Sequence, residues 1–156
     1  MGLVILQMHS GHVEGIFEAF RSWNKTRRQY ENYLSENHQG RRLTLVAELD
    51  GRVVGYGNLL RDSYYAPFKA EGIPEINDLN VVTDLQGKGI GRELIKELES
   101  AARAQGHDII GIGVGLGSDY AKAQKLYPRL GYVSDGRGNQ NSEWGLETHL
   151  VKRISH

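Results

Sequence analysis

Gln86-Gly87-Lys88-Gly89-Ile90-Gly91-Arg92 is the stretch of this chain whose residue types and spacing bear most directly on chemistry. It lies between a short apolar run, Leu79 to Val82, and an amphipathic helical pattern, Ile90 to Gln105. A strand, a glycine-rich turn and a helix in that order make an anion site. The first N–H groups of a helix have no partner within it, and the helix dipole adds positive potential there. The glycines let the backbone close on a phosphate, and Lys88 and Arg92 add charge. The expected ligand is therefore phosphorylated. Two familiar phosphate loops do not fit. The Walker pattern, Gly-x-x-x-x-Gly-Lys-Ser/Thr, does not occur. The dinucleotide fingerprint Gly-x-Gly-x-x-Gly fails on spacing, because the glycines fall at 87, 89 and 91.

The elements that must position this loop follow from periodicity. Leu3 to Met8 reads as a first strand. Ser10 is placed to cap a helix with Val13, Ile16, Phe17 and Phe20 on one face. A second, more polar helix spans Thr26 to Asn37 and ends at Gly40. Leu43 to Leu49 and Val53 to Leu60 are strands joined by Asp50-Gly51, a strong hairpin signal. Arg61 to Gly72 reads as a loop carrying Tyr64, Tyr65 and Phe68. Pro74 opens the strand Glu75 to Val82. The loop helix presents Ile90, Leu94, Leu98, Ala101 and Ala102 on one face, with Gly106 as its C-terminal stop. In the strand Asp108 to Val114, Gly111, Gly113 and Gly115 face one way and Ile110, Ile112 and Val114 the other. Glycine weakens a strand, so its repetition asks for a ligand, another backbone or tight helix packing close by. A last helix runs from Asp119 to Leu130. Tyr132 to Ser134 and Trp144 to Val151 close the order as strands around an Asp135 to Ser142 loop. Strands alternating with helices give an α/β class.

Composition narrows the function. The 156 residues suit a single domain, 1–156. Lys plus Arg and Asp plus Glu each number 19, and this balance argues against a nucleic-acid or anionic-membrane binder. No apolar run is long enough to span a membrane, and the N-terminal apolar run lacks the length and basic flank of a signal peptide. There is no cysteine, hence no disulfide and no cysteinyl acyl-enzyme. A cytoplasmic location is expected. The six histidines (His9, His12, His38, His107, His149, His156) show no repeated ligand spacing, so no metal site is expected.

Gln86, Gly89 and Gly91 match Gln/Arg-x-x-Gly-x-Gly/Ala, and this segment resembles the acyl-CoA loop of the GNAT superfamily of N-acetyltransferases. Val81 stands five residues before Gln86, as in that family. The later run Tyr120-Ala121-Lys122-Ala123-Gln124-Lys125-Leu126-Tyr127-Pro128-Arg129-Leu130-Gly131-Tyr132 resembles its Asn-x-x-Ala-x-x-Leu-Tyr-x-x-x-Gly-Phe, with Ala123, Leu126, Tyr127 and Gly131 in register. Tyr120 replaces the usual Asn and Tyr132 the usual Phe. The resemblance covers roughly residues 40–135 well.

The resemblance implies the GNAT fold: a mixed, twisted β-sheet with helices on both faces, in the order β-α-α-β-β-β-α-β-α-β-β, with two central strands splayed around the pantetheine arm. It implies transfer of an acetyl group from acetyl-CoA to a primary amine of a small molecule or peptide, directly in a ternary complex. A lysine-like amine has a pKa near ~10.4, so it must lose a proton before it attacks. The family relation points to Glu75, eleven positions before Gln86, as the base. Asp78 is the rival, on the opposite strand face unless a bulge intervenes, and a water relay is the third route. The backbone N–H of Val81 would meet the oxyanion, and Tyr127 would protonate the departing thiolate, with Pro128 liable to kink or end the helix just after it. Gln86, Gly87, Lys88, Gly89, Ile90, Gly91 and Arg92 would hold the cofactor with Tyr120. Gln124 and Lys125 would reach its phosphates or stay solvated. The acceptor surface could include Trp23, Asn24, Tyr30, Tyr64, Tyr65 and Phe68. A homodimer through the Trp144 to Ile154 segment is a candidate assembly. The competing readings are a non-catalytic acyl-CoA sensor on the same fold and a nucleotide binder.

Overall fold

The structure is a computed structural model, and it describes residues 2–143 and 145–155. The elements run β1 (Leu3–Gln7), α1 (His12–Ala19), α2 (Arg27–His38), β2 (Arg42–Leu49), β3 (Arg52–Leu60), α3 (Ala66–Glu71), β4 (Glu75–Val81), α4 (Ile90–Ala104), β5 (Ile109–Gly115), α5 (Ala121–Arg129), β6 (Val133–Ser142) and β7 (Gly145–Arg153). The strands form one open sheet in the order β1-β2-β3-β4-β5-β7-β6. Every pairing is antiparallel except β4 with β5. This is the expected order with one short helix, α3, added.

β3 is buried at eight of nine positions because both its faces are covered. One apolar cluster gathers Ile16, Phe20, Tyr30, Val46 and Tyr56 beneath α1 and α2. The other gathers Ile95, Leu98, Ile110, Ile112 and Tyr132 around α4 and β5. The β2–β3 turn has Asp50 at φ 52° and Gly51 at φ 83°. Two positive φ values suit the right-handed twist of a two-residue hairpin, as the Asp-Gly pair predicts.

Four local expectations are corrected. Ser10 does not cap α1: the helix starts at His12 after Gly11, with no side-chain cap bond. The imidazoles take the N–H groups instead, Gly11 N donating to His9 Nδ1 and His9 N to His12 Nδ1, both at 3.1 Å. The segment Arg61 to Gly72 is not all loop. Pro67 in the first turn and Gly72 in a left-handed C-cap bound a six-residue helix too short to show periodicity. The Asp135 to Ser142 stretch, rich in turn residues, belongs to β6. Its register with β7 breaks after Ser134 and resumes at Asn139, so backbone pairing outweighs local preference. The last helix begins at Ala121, after a 3₁₀ turn over Ser118–Tyr120, and runs past Pro128 to Arg129. Trp144, where the final strand was expected to start, lies outside the described residues.

Two irregularities build the site. β4 and β5 pair only at Glu75↔Gly111 and Ile76↔Ile112. Beyond them β5 continues on β7 to Gly115↔Glu147, while β4 turns away with β3. The sheet therefore opens between Asn77–Val81 and Gly113–Gly115. In addition, β4 carries a bulge: Tyr56 pairs with Asn80 and Asn58 with Asn77, so Asp78 and Leu79 together face Gly57. Asp78 takes φ 48°, a left-handed angle that aspartate tolerates better than most residues.

Candidate active site

The loop from β4 to α4 closes the mouth of the opening. Gly87 and Gly89 hold φ at 79° and 89°, angles that favour glycine. A Cβ at either would meet nothing within 4 Å, so the turn leaves an open concavity. The first bond of α4 is Glu93 N to Gly89 O at 3.0 Å. The preceding N–H groups, from Ile90 to Arg92, lack helical partners. Lys88 and Arg92 are exposed, and neither joins an ion pair among the described residues. Gln86 fastens the loop: its Nε2 donates to Val81 O at 3.0 Å, and its Oε1 accepts from Lys122 Nζ at 2.9 Å. This ties β4 to α5 across the gap.

The gap widens into a cleft of about 1350 Å³. Val82 N–H is spent on Val54 O at 2.9 Å. Alternation along an antiparallel ladder then turns Val81 N–H away from β3, towards the gap. Tyr127 is 7 % exposed and lines the cleft, and no described group bonds its hydroxyl. Burial pushes its phenol up to about 12, so it is a proton donor at neutral pH.

Glu75 is 8 % exposed at the start of β4. Its Oε1 accepts a short hydrogen bond from Ser63 Oγ. Burial raises its carboxyl to about 7; the Ser63 bond opposes that rise and the charge of Glu147 adds to it. Asp78 has the opposite environment. It accepts from Lys25 Nζ at 2.5 Å, Tyr33 Oη at 2.7 Å, Asn80 Nδ2 at 2.8 Å, Tyr56 Oη at 3.1 Å and Gln29 Nε2 at 3.4 Å. Burial alone would raise its carboxyl, but Lys25 and these donors hold it below the usual range. A carboxylate so occupied is a poor base. The bulge does bring Asp78 to the side of Glu75, since Ile76 and Leu79 both turn to the cluster containing Leu98.

The β5 glycines owe their conservation of space to rings. A Cβ at Gly111 would collide with Phe68 and one at Gly115 with Tyr120, each at 2.3 Å, while one at Gly113 would crowd His149 at 3.1 Å. His149 is 4 % exposed, stacks on Tyr65 at 3.6 Å and meets the Phe68 edge at 5.5 Å. Close packing explains the alternation: a ring from α3 lies over Gly111, a β7 ring over Gly113 and the Tyr120 ring over Gly115.

The sequence model of the acetyltransferase (GNAT) family matches residues 12–132, more than three quarters of the chain. The chain belongs to the acetyltransferase (GNAT) family. No curated protein matches its sequence. Among solved structures, yncA from Salmonella typhimurium, determined with its cofactor acetyl-CoA, superposes with a TM-score of 0.78 at 20% identity, covering 100% of this chain and 96% of that one. Ribosomal-protein-alanine N-acetyltransferase from Brucella melitensis gives 0.75 at 21% identity over 96% and 99%. The paia N-acetyltransferase from Thermoplasma acidophilum, in complex with coenzyme A, gives 0.75 at 14% identity over 98% and 99%. At such identities these structures show the fold.

In this acetyltransferase the cleft gathers Glu75, Val81, Gln86, Gly87, Gly89, Ile90, Gly91, Arg92, Tyr120 and Tyr127; Lys88 stands outside its lining. Tyr120 is 42 % exposed, its ring over Gly115. Gln124 is spent on Gly115 O at 2.8 Å and Gly117 O at 3.1 Å, so it holds the end of β5. Of the aromatic acceptor candidates, Trp23, Tyr64 and Tyr65 line the cleft with Asn24. Tyr30 and Phe68 do not, because both are wholly buried core residues. Sequence reasoning missed Ser63, Lys25 and the ring role of His149. Only the glycine alternation signalled the last. Among the described residues, no cluster of three or more metal-ligating side chains occurs, and no helix is long and apolar enough to cross a membrane.

Proposed function

We propose that this member of the family transfers the acetyl group of acetyl-CoA directly to a primary amine of a small molecule or peptide, with Glu75 as base and Tyr127 as acid. The observation that carries this reading is the convergence of four parts on one opening: the free N–H groups and glycine turn of residues 87–92, the Val81 N–H, the Tyr127 hydroxyl and the Glu75 carboxylate. The open space at Gly89 and the unpaired Arg92 fit a pyrophosphate.

Glu75, titrating near neutrality, takes a proton from the acceptor ammonium. The neutral amine attacks the thioester carbonyl, and the Val81 N–H donates to the oxyanion that forms. When the C–S bond breaks, Tyr127 gives its proton to sulfur. The proton still on the new amide nitrogen leaves and restores the phenol. No side chain carries the acetyl group, which suits a chain without cysteine.

The test is calorimetric titration with acetyl-CoA, CoA, ATP and NAD, followed by thiol release with a panel of amines. Micromolar binding of the CoA species alone, and thiol release that requires an amine, are expected. Gly91→Glu, whose Cβ would meet only Val81 Cγ2 at 3.8 Å, should stay folded and lose that binding. Binding without turnover of any amine would point to a sensor. A preference for ATP or NAD would overturn the loop assignment.

A further inference from the structure

A lysine side chain already lies in the cleft, on the side away from the glycine loop. Lys25 Nζ lies 2.5 Å from Asp78 Oδ1, the side chains 23 % and 15 % exposed. Among the described residues only Lys25 and Lys122 bring a primary amine to the cleft lining. Lys122 is on the loop side, donating to Gln86. Lys25 is on the other side, on the turn between α1 and α2, next to Asn24 at φ 55°. The same Asp78 Oδ1 accepts from Asn80 Nδ2 at 2.8 Å. Nζ and the Asn80 amide are therefore neighbours, and Asn80 directly precedes Val81, the oxyanion donor. Glu75 lies three residues before Asp78, on the same face of β4. One turn of the chain thus brings a primary amine into the cleft that Glu75, Val81 and Tyr127 also line, one hydrogen-bond partner away from the residue before Val81.

We infer that Lys25 is an intramolecular acetyl acceptor: in the absence of a competing amine, the enzyme acetylates its own Lys25. This rests on the acetyl transfer proposed above. Lys25 releases Asp78 and gives one ammonium proton to Glu75. Nζ then bonds to the acetyl carbonyl carbon, the C–S bond breaks, and the sulfur takes the Tyr127 proton. The second proton leaving Nζ restores the phenol, and Glu75 returns its proton to solvent. The products are Nε-acetyl-Lys25, CoA and one proton. The acetylated side chain carries no charge to pair with Asp78 and stays at the acceptor mouth, so the modification restrains further turnover.

The experiment incubates the purified chain with acetyl-CoA alone, followed by peptide mass mapping over time. One acetyl group on Lys25 is expected, with a first-order rate that does not change over a hundredfold range of protein concentration. Glu75→Gln should slow the labelling at least tenfold. Gly91→Glu, checked for folding by circular dichroism, should abolish it, as should Lys25→Arg, which keeps the charge beside Asp78. Labelling as fast in Gly91→Glu, or a rate that rises with protein concentration, would overturn the inference. So would an unlabelled Lys25 in protein that binds acetyl-CoA and releases thiol with added amines; that result leaves the proposed function standing. Failure to bind acetyl-CoA at all would instead remove the proposed function, and this inference with it.

Discussion

At the scale of single residues, two carboxylates on one strand face are driven apart by their surroundings. Asp78 has five donors and is held ionised; Glu75 has one hydroxyl and titrates near 7. With Glu75 as the proposed base, kcat/KM should rise with pH and level off with a midpoint near 7. Glu75→Gln should cost on the order of a hundredfold in rate and abolish that rise. A profile unchanged in the variant would move the base role to a water relay. The same shift bears on stability. A carboxyl whose folded pKa lies above its unfolded value contributes stability at low pH and loses it as pH rises through the folded value. Glu75→Gln should therefore leave urea stability nearly unchanged near pH 4 and raise it at pH 8.5, by at most about 3 kcal/mol. A variant weakened at both pH values would contradict the burial cost assigned to this carboxylate. Tyr127→Phe removes only a hydroxyl that has no described partner. It should slow turnover at least tenfold while the acetyl-CoA Kd changes less than about threefold. Equal turnover would leave Tyr127 a packing residue.

At the scale of elements, the β4 bulge decides what the strand presents. It leaves the carbonyls of Asn77 and Asp78 out of the ladder, and the wholly buried Asn58 amide donates to both, at 3.1 and 3.3 Å. Asn58 Oδ1 accepts from Thr44 Oγ1 at 2.6 Å, and Thr44 Oγ1 accepts from Asn37 Nδ2 at 2.8 Å. A polar chain from α2 through β2 and β3 thus supports the stretch that aims Val81. Asn58→Leu keeps the branched outline but adds bulk, and it leaves two carbonyls unpaired, at about 1–3 kcal/mol each. It should lower urea stability by about 2–6 kcal/mol and lower kcat more than it weakens CoA binding; a fall in stability with kcat intact would show that the bulge does not aim the donor. The loop, α4 and the Asp-Gly hairpin were legible because each signal is local: glycines at φ above zero, apolar residues three and four apart, a two-residue turn. The bulge was not, because its causes lie at positions 37, 44 and 58. Nor was the strand character of residues 135–142, whose turn-forming composition is overridden by pairing with β7. The family relation named Tyr127 and Glu75, with Asp78 as the rival base; the packed structure adds the opposite surroundings of the two carboxylates, which no local signal carries.

At the scale of the whole molecule, the sheet is two antiparallel halves joined by a short seam. β1 to β4 form one half and β5, β7 and β6 the other, linked by two parallel residue pairs. The glycine loop of residues 86–92 hangs from the first half and Tyr120 and Tyr127 from the second, while Gln86 with Lys122 is a direct tie between them. A ligand that fills the gap touches both halves, so its binding energy becomes resistance to their separation. Ligand at a hundred times its Kd adds about 2.7 kcal/mol to the folded state. For a chain of this size that corresponds to a rise in Tm of roughly 5–10 °C. The location of the effect is the sharper test. If acetyl-CoA bridges the seam, amide exchange should slow most at residues 77–82, 86–92 and 112–115, where backbone groups flank the opening without a full ladder. It should change little in the β1–β2 pair, which lies on the far edge of the first half. CoA without the acetyl group should reproduce the effect along the loop. Protection confined to residues 86–92 would mean that the ligand is held by its phosphates alone and leaves the two halves uncoupled.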